Sequence, residues 1–146
     1  MATTNRQIAG NDDWDDPSAW DNGVPTSSTD AVVDGTTLAP GLTVTFDNTG
    51  TESANSLAMT DSTLAITSGE LSLGTASTLD DVSLTGGLLD FANTGGVVST
   101  ITGTLSDITS TTYGTLEIDA GTLELDGYAT FDGIPSIDLA NSSVFM

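Results

Sequence analysis

Short apolar alternations, each closed by Gly, Asp or Asn, recur along this chain at a nearly fixed spacing. Leu42-Thr-Val44-Thr-Phe46-Asp-Asn48 is one, and Ser56-Leu57-Ala-Met59-Thr-Asp61 is the next. Thr63-Leu64-Ala-Ile66, Glu70-Leu71-Ser-Leu73-Gly74, Thr115-Leu116-Glu-Ile118-Asp119 and Thr122-Leu123-Glu-Leu125-Asp-Gly127 follow the same form. Within each run the period is two, which puts alternate side chains of a strand on one face. Leu57, Leu64 and Leu71 stand seven apart, as do Leu116 and Leu123, with Ile118 and Leu125 in step. One short strand plus one turn, repeated every seven to ten residues, is an internal repeat. Three such units make a coil of about 20 to 30 residues, the size of a solenoid repeat.

The expected fold is therefore all-β: a parallel β-helix (β-solenoid) of about five short coils with an N-terminal cap. Coils would stack along an axis, and Gly69, Gly74, Gly86, Gly87, Gly95, Gly96, Gly103, Gly114, Gly121 and Gly127 would stand at corners. An antiparallel β-sandwich is the alternative, since it too wants a turn signal every few residues. Against it, many runs have only one or two inward apolar positions. Hairpin signals are also few: Asn22-Gly23, Asp34-Gly35, Asp126-Gly127 and Asp132-Gly133.

Composition agrees with strands and removes much chemistry. Thr, Val and Ile suit strands, Gly, Asp and Asn suit turns, and only four Glu and one Gln are present. There is no His, Cys or Lys, and Arg6 is the one basic residue against 21 acidic ones, a net charge of -20. Imidazole bases, thiolates, Schiff-base lysines and disulfides are excluded. So few cations exclude phosphate-backbone binding, hence nucleic acid, and an anionic membrane surface as partners. The residues from Met1 to Gly10 lack the basic and long apolar regions of a secretory signal. Three alternatives stand: a leader already removed, a signal elsewhere, or no export.

Texture changes near residue 30. Residues 1–29 hold both Trp residues and the cluster Asp12, Asp13, Asp15, Asp16, and they read as a cap segment; residues 30–146 read as the solenoid. The run Trp14-Asp-Asp-Pro-Ser-Ala-Trp20-Asp-Asn-Gly23-Val-Pro25, leading into Asp30-Ala-Val-Val33 and then Leu-rich strands with Gly corners, resembles the opening of large bacterial β-solenoid surface and secreted proteins. These include autotransporter-type passenger regions, filamentous adhesins and proteins carrying a Hint (intein-like) domain downstream. The resemblance covers most of the chain. It implies a parallel β-helix on a cell surface or in extracellular matrix, with no catalytic residues to carry over. The chain is shorter than the giant members and contains neither a Hint domain nor a barrel.

Candidate sites are few. Trp14 and Trp20 are the candidates for stacking on sugar rings, with Asp15, Asp16 and Asp21 taking hydroxyls, against a reading in which their indoles cover the open end of the first coil. Asp12, Asp13, Asp15 and Asp16 are the candidate ligands for Ca²⁺, against a solvated acidic turn; no cofactor is required. Asp80 and Asp81, with Asp90 or Asp107, form a candidate carboxylate set for sugar cleavage, against a plain corner between Leu79 and Val82. Asn141-Ser-Ser143 matches a glycosylation triplet, read as chance. The terminal run containing Val144, Phe145 and Met146 has no polar segment after it and is the candidate self-association strand. The functional expectation is a non-enzymatic extracellular or cell-surface building block, an adhesin or matrix fibre that forms homo-oligomers or filaments end to end and contacts glycans or cell surfaces. The alternative is a carbohydrate-binding or sugar-cleaving β-helix of a surface or phage fibre.

Overall fold

A computed structural model describes residues 1–92 and 97–106, together with the strand backbones of 115–118, 121–125, 137–139 and 142–145. The described residues are mostly strand, with almost no helix, and form three sheets. The first sheet holds β1 (Ala2–Asn5), β3 (Thr29–Asp34), β6 (Ser56–Thr60), β9 (Thr78–Leu79), β12 (Val98–Ile101), β15 (Gly121–Leu125) and β17 (Ser142–Phe145), in that spatial order. The second holds β2 (Asp12–Asp13), β4 (Leu42–Phe46), β7 (Ser62–Ile66), β10 (Asp81–Leu84) and β13 (Leu105–Ser106). The third holds β5 (Thr51–Ala54), β8 (Glu70–Leu73), β11 (Leu88–Phe91), β14 (Thr115–Ile118) and β16 (Ile137–Leu139).

From β4 to β15 the chain visits the second, third and first sheets in turn, again and again. Strands consecutive in sequence do not pair; each pairs with the strand one circuit away, always in parallel. Val44 stands beside Leu64, and Leu64 beside Val82. The circuit is short where Ser72 meets Asp90, 18 residues on, and longer where Asp81 meets Thr104, 23 on.

Alternation in sequence becomes alternation in burial. In β4, Leu42, Val44 and Phe46 are buried and the two threonines between them half-exposed; β7 and β10 repeat the pattern. In-register pairing then stacks like on like: Val44, Leu64, Val82 and Leu105 in one inward column, Phe46, Ile66 and Leu84 in another. Leu71 lies beside Leu89 in the third sheet, and Leu57 beside Ala31 in the first. Each fully buried Leu or Phe contributes roughly 1.5–3 kcal/mol of transfer free energy, enough over one cluster to hold strands that are individually very short.

Three local features differ from the sequence expectation. Gly35–Leu38 is a single turn of α-helix, α1, at the Asp34-Gly35 pair that read as a hairpin signal; the Asp34 carboxylate caps it by accepting from the Thr37 amide. Gly121 opens strand β15, paired with Ser142, and is not a corner. Residues 1–29 contribute β1 and β2, which pair with β3 and β4, so pairing begins ahead of the expected boundary. Gly69 and Gly87 do stand at corners with φ of 72° and 70°. Gly95, Gly96, Gly114 and Gly127 lie outside the described residues.

Candidate functional site

The chemistry-bearing residues of the first 29 positions gather where the first two sheets begin. The Trp14 amide donates to Thr45 O at 2.7 Å, which brings that indole down over Phe46, ring centroids 6.4 Å apart. A 3-10 turn, Pro17–Ala19, follows; the Asp16 carboxylate accepts from the Ser18 amide at 2.8 Å and so starts it. The turn delivers Trp20 edge-on to Trp14 at 5.2 Å, with Trp20 Nε1 donating to Trp14 O at 2.8 Å. Trp14 is 1% exposed and Trp20 4%. Both indoles are therefore core, closing the inner column of the second sheet, and neither offers the open ring face on which a sugar stacks.

Arg6 lies under the same turn. Its backbone amide donates to Val32 O at 2.9 Å, and its guanidinium sits 5.7 Å from the Trp20 ring centroid. The residue is buried, and none of its three guanidinium nitrogens has a hydrogen-bond partner among the described residues. Burial lowers its pKa from the ordinary arginine value, while Asp12, Asp16 and Asp13 pull the other way. The chain's single cationic side chain is thus enclosed, and it adds no positive patch to the surface.

The acidic residues of the turn are occupied separately. Asp12 and Asp13 form β2 beside Val44 and Thr45, and Asp12 Oδ1 accepts from the Asp13 amide at 2.9 Å. Asp15 is exposed, and Asp16 is the cap just described. Among the described residues no three carboxylates converge as metal ligands. The second acidic set is likewise engaged, Asp80 and Asp81 by backbone amides and Asp90 by a hydroxyl. Asp80 Oδ2 accepts from the Ser62 amide at 3.2 Å, Asp81 Oδ1 from the Thr104 amide at 2.6 Å, and Asp90 Oδ2 from Ser72 Oγ at 2.9 Å. These carboxylates tie one circuit to the next. Asp107, Asn141 and Met146 lie outside the described residues, whereas Val144 and Phe145 sit on β17, beside Leu123 and Glu124.

Sequence reasoning took Asp21 as an acceptor for sugar hydroxyls and Asn22-Gly23 as a hairpin signal, and it passed over their partner Asn5. Residues 19–21 run antiparallel to residues 5–7, in an otherwise parallel sheet, with a bridge between Arg6 and Trp20. The Gln7 amide donates to Ala19 O at 2.8 Å and the Asp21 amide to Asn5 O at 2.9 Å. Asp21 Oδ1 accepts from the Asn5 amide and Asp21 Oδ2 from Asn5 Nδ2, both at 2.7 Å. Asn22 Nδ2 donates to Thr3 O at 2.9 Å, and Thr4 Oγ1 to Gly23 O at 2.8 Å. The signal in the sequence was an Asp-Asn-Gly turn beside an uncharged Thr-Thr-Asn run, both too short to carry a period.

Hydrogen bonding fixes how this region responds to acid. Asp16, Asp21, Asp30 and Asp34 are held below the ordinary aspartate value of 3.8, chiefly by Ser18, Asn5, Asn55 and Thr36 respectively. A carboxyl so lowered contributes stability that is complete above 3.8 and lost as pH falls through its folded value. Asp13 is pushed up by desolvation, then by crowding from Asp47, Asp12, Asp15 and Asp16. Its charge costs stability at neutral pH, and protonation relieves that cost. Self-repulsion of a chain carrying -20 also eases on acidification. The melting temperature, followed by circular dichroism, is expected to hold or rise down to about pH 4 and to fall below it. In Asp21→Asn the fall should be shallower; a wild-type melting temperature still climbing below about pH 3 would contradict the assignment.

Comparison with protein-family models, with curated proteins and with solved structures found no match for this chain.

Proposed function

We propose that the chain is a parallel β-solenoid whose role is structural: a non-enzymatic extracellular or cell-surface scaffold, an adhesin or matrix-fibre segment that associates end to end. One observation carries the reading. The chain cycles through three sheets and pairs only with strands a circuit away, so each circuit presents to the next the same edge that it received. Such an arrangement extends by repetition, gains length at little sequence cost, and ends in strand edges. A head-to-tail contact between those edges need not close on itself and so builds a fibre. The absence of His, Lys and Cys from the sequence supports a role without acid–base or nucleophilic chemistry. The strongly acidic composition favours an ion-sensitive surface, on which divalent cations such as Ca²⁺ screen repulsion between copies. Burial of Trp14 and Trp20 gives no support to the sugar-binding alternative.

Electron microscopy and sedimentation velocity of the full chain, with and without millimolar Ca²⁺, test the scaffold role. Elongated oligomers, more abundant with Ca²⁺ or with added salt, are expected. Compact monomers under every condition at high protein concentration would overturn self-assembly.

A further inference from the structure

We propose that residues 19–23 are an edge lock: a built-in strap that occupies the free edge of β1 and prevents a second copy of this chain from pairing there through its own β1. The need is visible in β1 itself. Its sequence, Ala2-Thr3-Thr4-Asn5, carries no charge and no proline, the two devices that usually stop an edge strand from recruiting another chain. β1 ends its sheet, with β3 on one side only. An uncharged terminal edge left open would be a template for strand addition.

The strap removes that template atom by atom. On the β3 side the Arg6 amide is taken by Val32 O. On the free side, Thr3 O, the Asn5 amide, Asn5 O and the Gln7 amide are all engaged, by Asn22 Nδ2, Asp21 Oδ1, the Asp21 amide and Ala19 O. Two of these four partners are side chains, so the cover depends on residue identity at positions 21 and 22 and not on backbone alone. Asp21 also places a carboxylate over the neutral edge. The strap is held by Trp20, buried against Trp14.

Its direction identifies the excluded occupant. The strap runs antiparallel to residues 5–7. A second β1 related by a two-fold axis would also approach antiparallel, meeting the same donors and acceptors in the same sense, and the contact would close as a dimer. The lock therefore concerns a closed β1–β1 dimer, distinct from the end-to-end growth proposed above. It rests on that reading only in taking the chain's partner to be another copy of itself.

The test exploits the absence of native cysteine. In the double variant Asn5→Cys/Asp21→Cys the two side chains face each other across the strap, so the full chain can be studied locked (oxidised) or unlocked (reduced). Sedimentation velocity in moderate salt should show the oxidised form behaving as wild type. The reduced form should give a dimer fraction about tenfold higher, because its strap can swing off β1 without breaking a covalent bond. Exchange of the backbone amides at position 5 and at Gln7 should be fast in reduced monomers and slow again in reduced dimers. Equal association of the two forms, or dimers whose amides at position 5 and at Gln7 exchange freely, would overturn the lock. If the reduced protein loses its β-sheet circular dichroism, Asn22→Ala takes its place, compared with wild type for the same two outcomes; it removes the cover on Thr3 O and the 3.1 Å bond from Asn22 Nδ2 to Asp21 Oδ1. Failure of wild type to form fibres would count against the scaffold function and leave this comparison intact.

Discussion

Gly69→Val is expected to lower stability by about 4 kcal/mol or more, one of the largest effects a single replacement can have in this chain. Two costs add. Gly69 has φ of 72°, a left-handed conformation that costs an L side chain roughly 1–2 kcal/mol, more when β-branched. A Cβ there would also lie 2.0 Å from Asn48 O and 2.8 Å from Gly50 O, backbone atoms of the corner one circuit earlier that cannot rotate away. Relieving the clash means parting the corners, and with them the bonds from the Glu70 amide to Gly50 O (3.0 Å) and from the Leu88 amide to Gly69 O (2.8 Å). Two controls separate the costs. Gly41 has nearly the same φ, 71°, with nothing within 4 Å of a Cβ, so Gly41→Ala should cost only about 1 kcal/mol. Gly50→Ala, with Asn48 Oδ1 at 3.9 Å and no positive φ, should stay within about 0.5 kcal/mol of wild type. Urea unfolding of the three variants measures all three values. A Gly69→Val no worse than Gly41→Ala would mean that the corners do not stack.

Trp14→Ala should cost about 3–5 kcal/mol. The indole is almost wholly enclosed, touching Trp20 and Phe46, and its removal leaves a cavity between them. Trp14→Phe should cost less than about 1.5 kcal/mol. Phenylalanine keeps most of the ring contact, and Trp14 Nε1 has no hydrogen-bond partner among the described residues to lose. The contrast distinguishes a packing role from a ligand role. Parallel losses in both variants would argue that the indole N–H matters and that the packing account is incomplete. Tryptophan fluorescence gives a second reading: wild-type emission should be blue-shifted and poorly quenched by acrylamide.

Some of this fold could be read directly from side-chain order. The apolar alternations at 42–46, 56–60, 63–66 and 70–73 coincide with β4, β6, β7 and β8, because each places two or three aliphatic residues on one face and ends in a turn residue. Other strands are silent in sequence for definite reasons. β9 is preceded by Ser77, an inward polar residue that breaks the pattern; its hydroxyl accepts the Leu57 amide at 3.0 Å, and Ser99 Oγ accepts the Ser77 amide at 3.1 Å. Hydroxyls stand in for ladder carbonyls there, which no hydrophobic period can register. β1 buries only Thr4 and is held by backbone pairing with β3, which leaves no apolar period to read.

The candidate sites were less legible than the strands. Aromatic and acidic residues near the N-terminus suggest a ligand surface when only their types are known. Whether an indole is a platform or a plug depends on where the chain folds back, and that is set by the Thr45 carbonyl and the Asp16 cap, 31 and 2 residues from the groups they bond. The carboxylates at 80, 81 and 90 were likewise visible as residues, while their use as ties between circuits depends on a register that appears only once the strands are paired.

The account depends on strands pairing in parallel with their counterparts one circuit away. Backbone NOE spectroscopy on the labelled chain addresses this at Leu64, on β7, the middle strand of the second sheet. Sequential-type contacts from the Leu64 strand to both the Val44 strand and the Val82 strand, with the parallel pattern, are the predicted result. Close Hα–Hα contacts joining β7 to its chain neighbours β6 or β8 in an antiparallel pattern would contradict it.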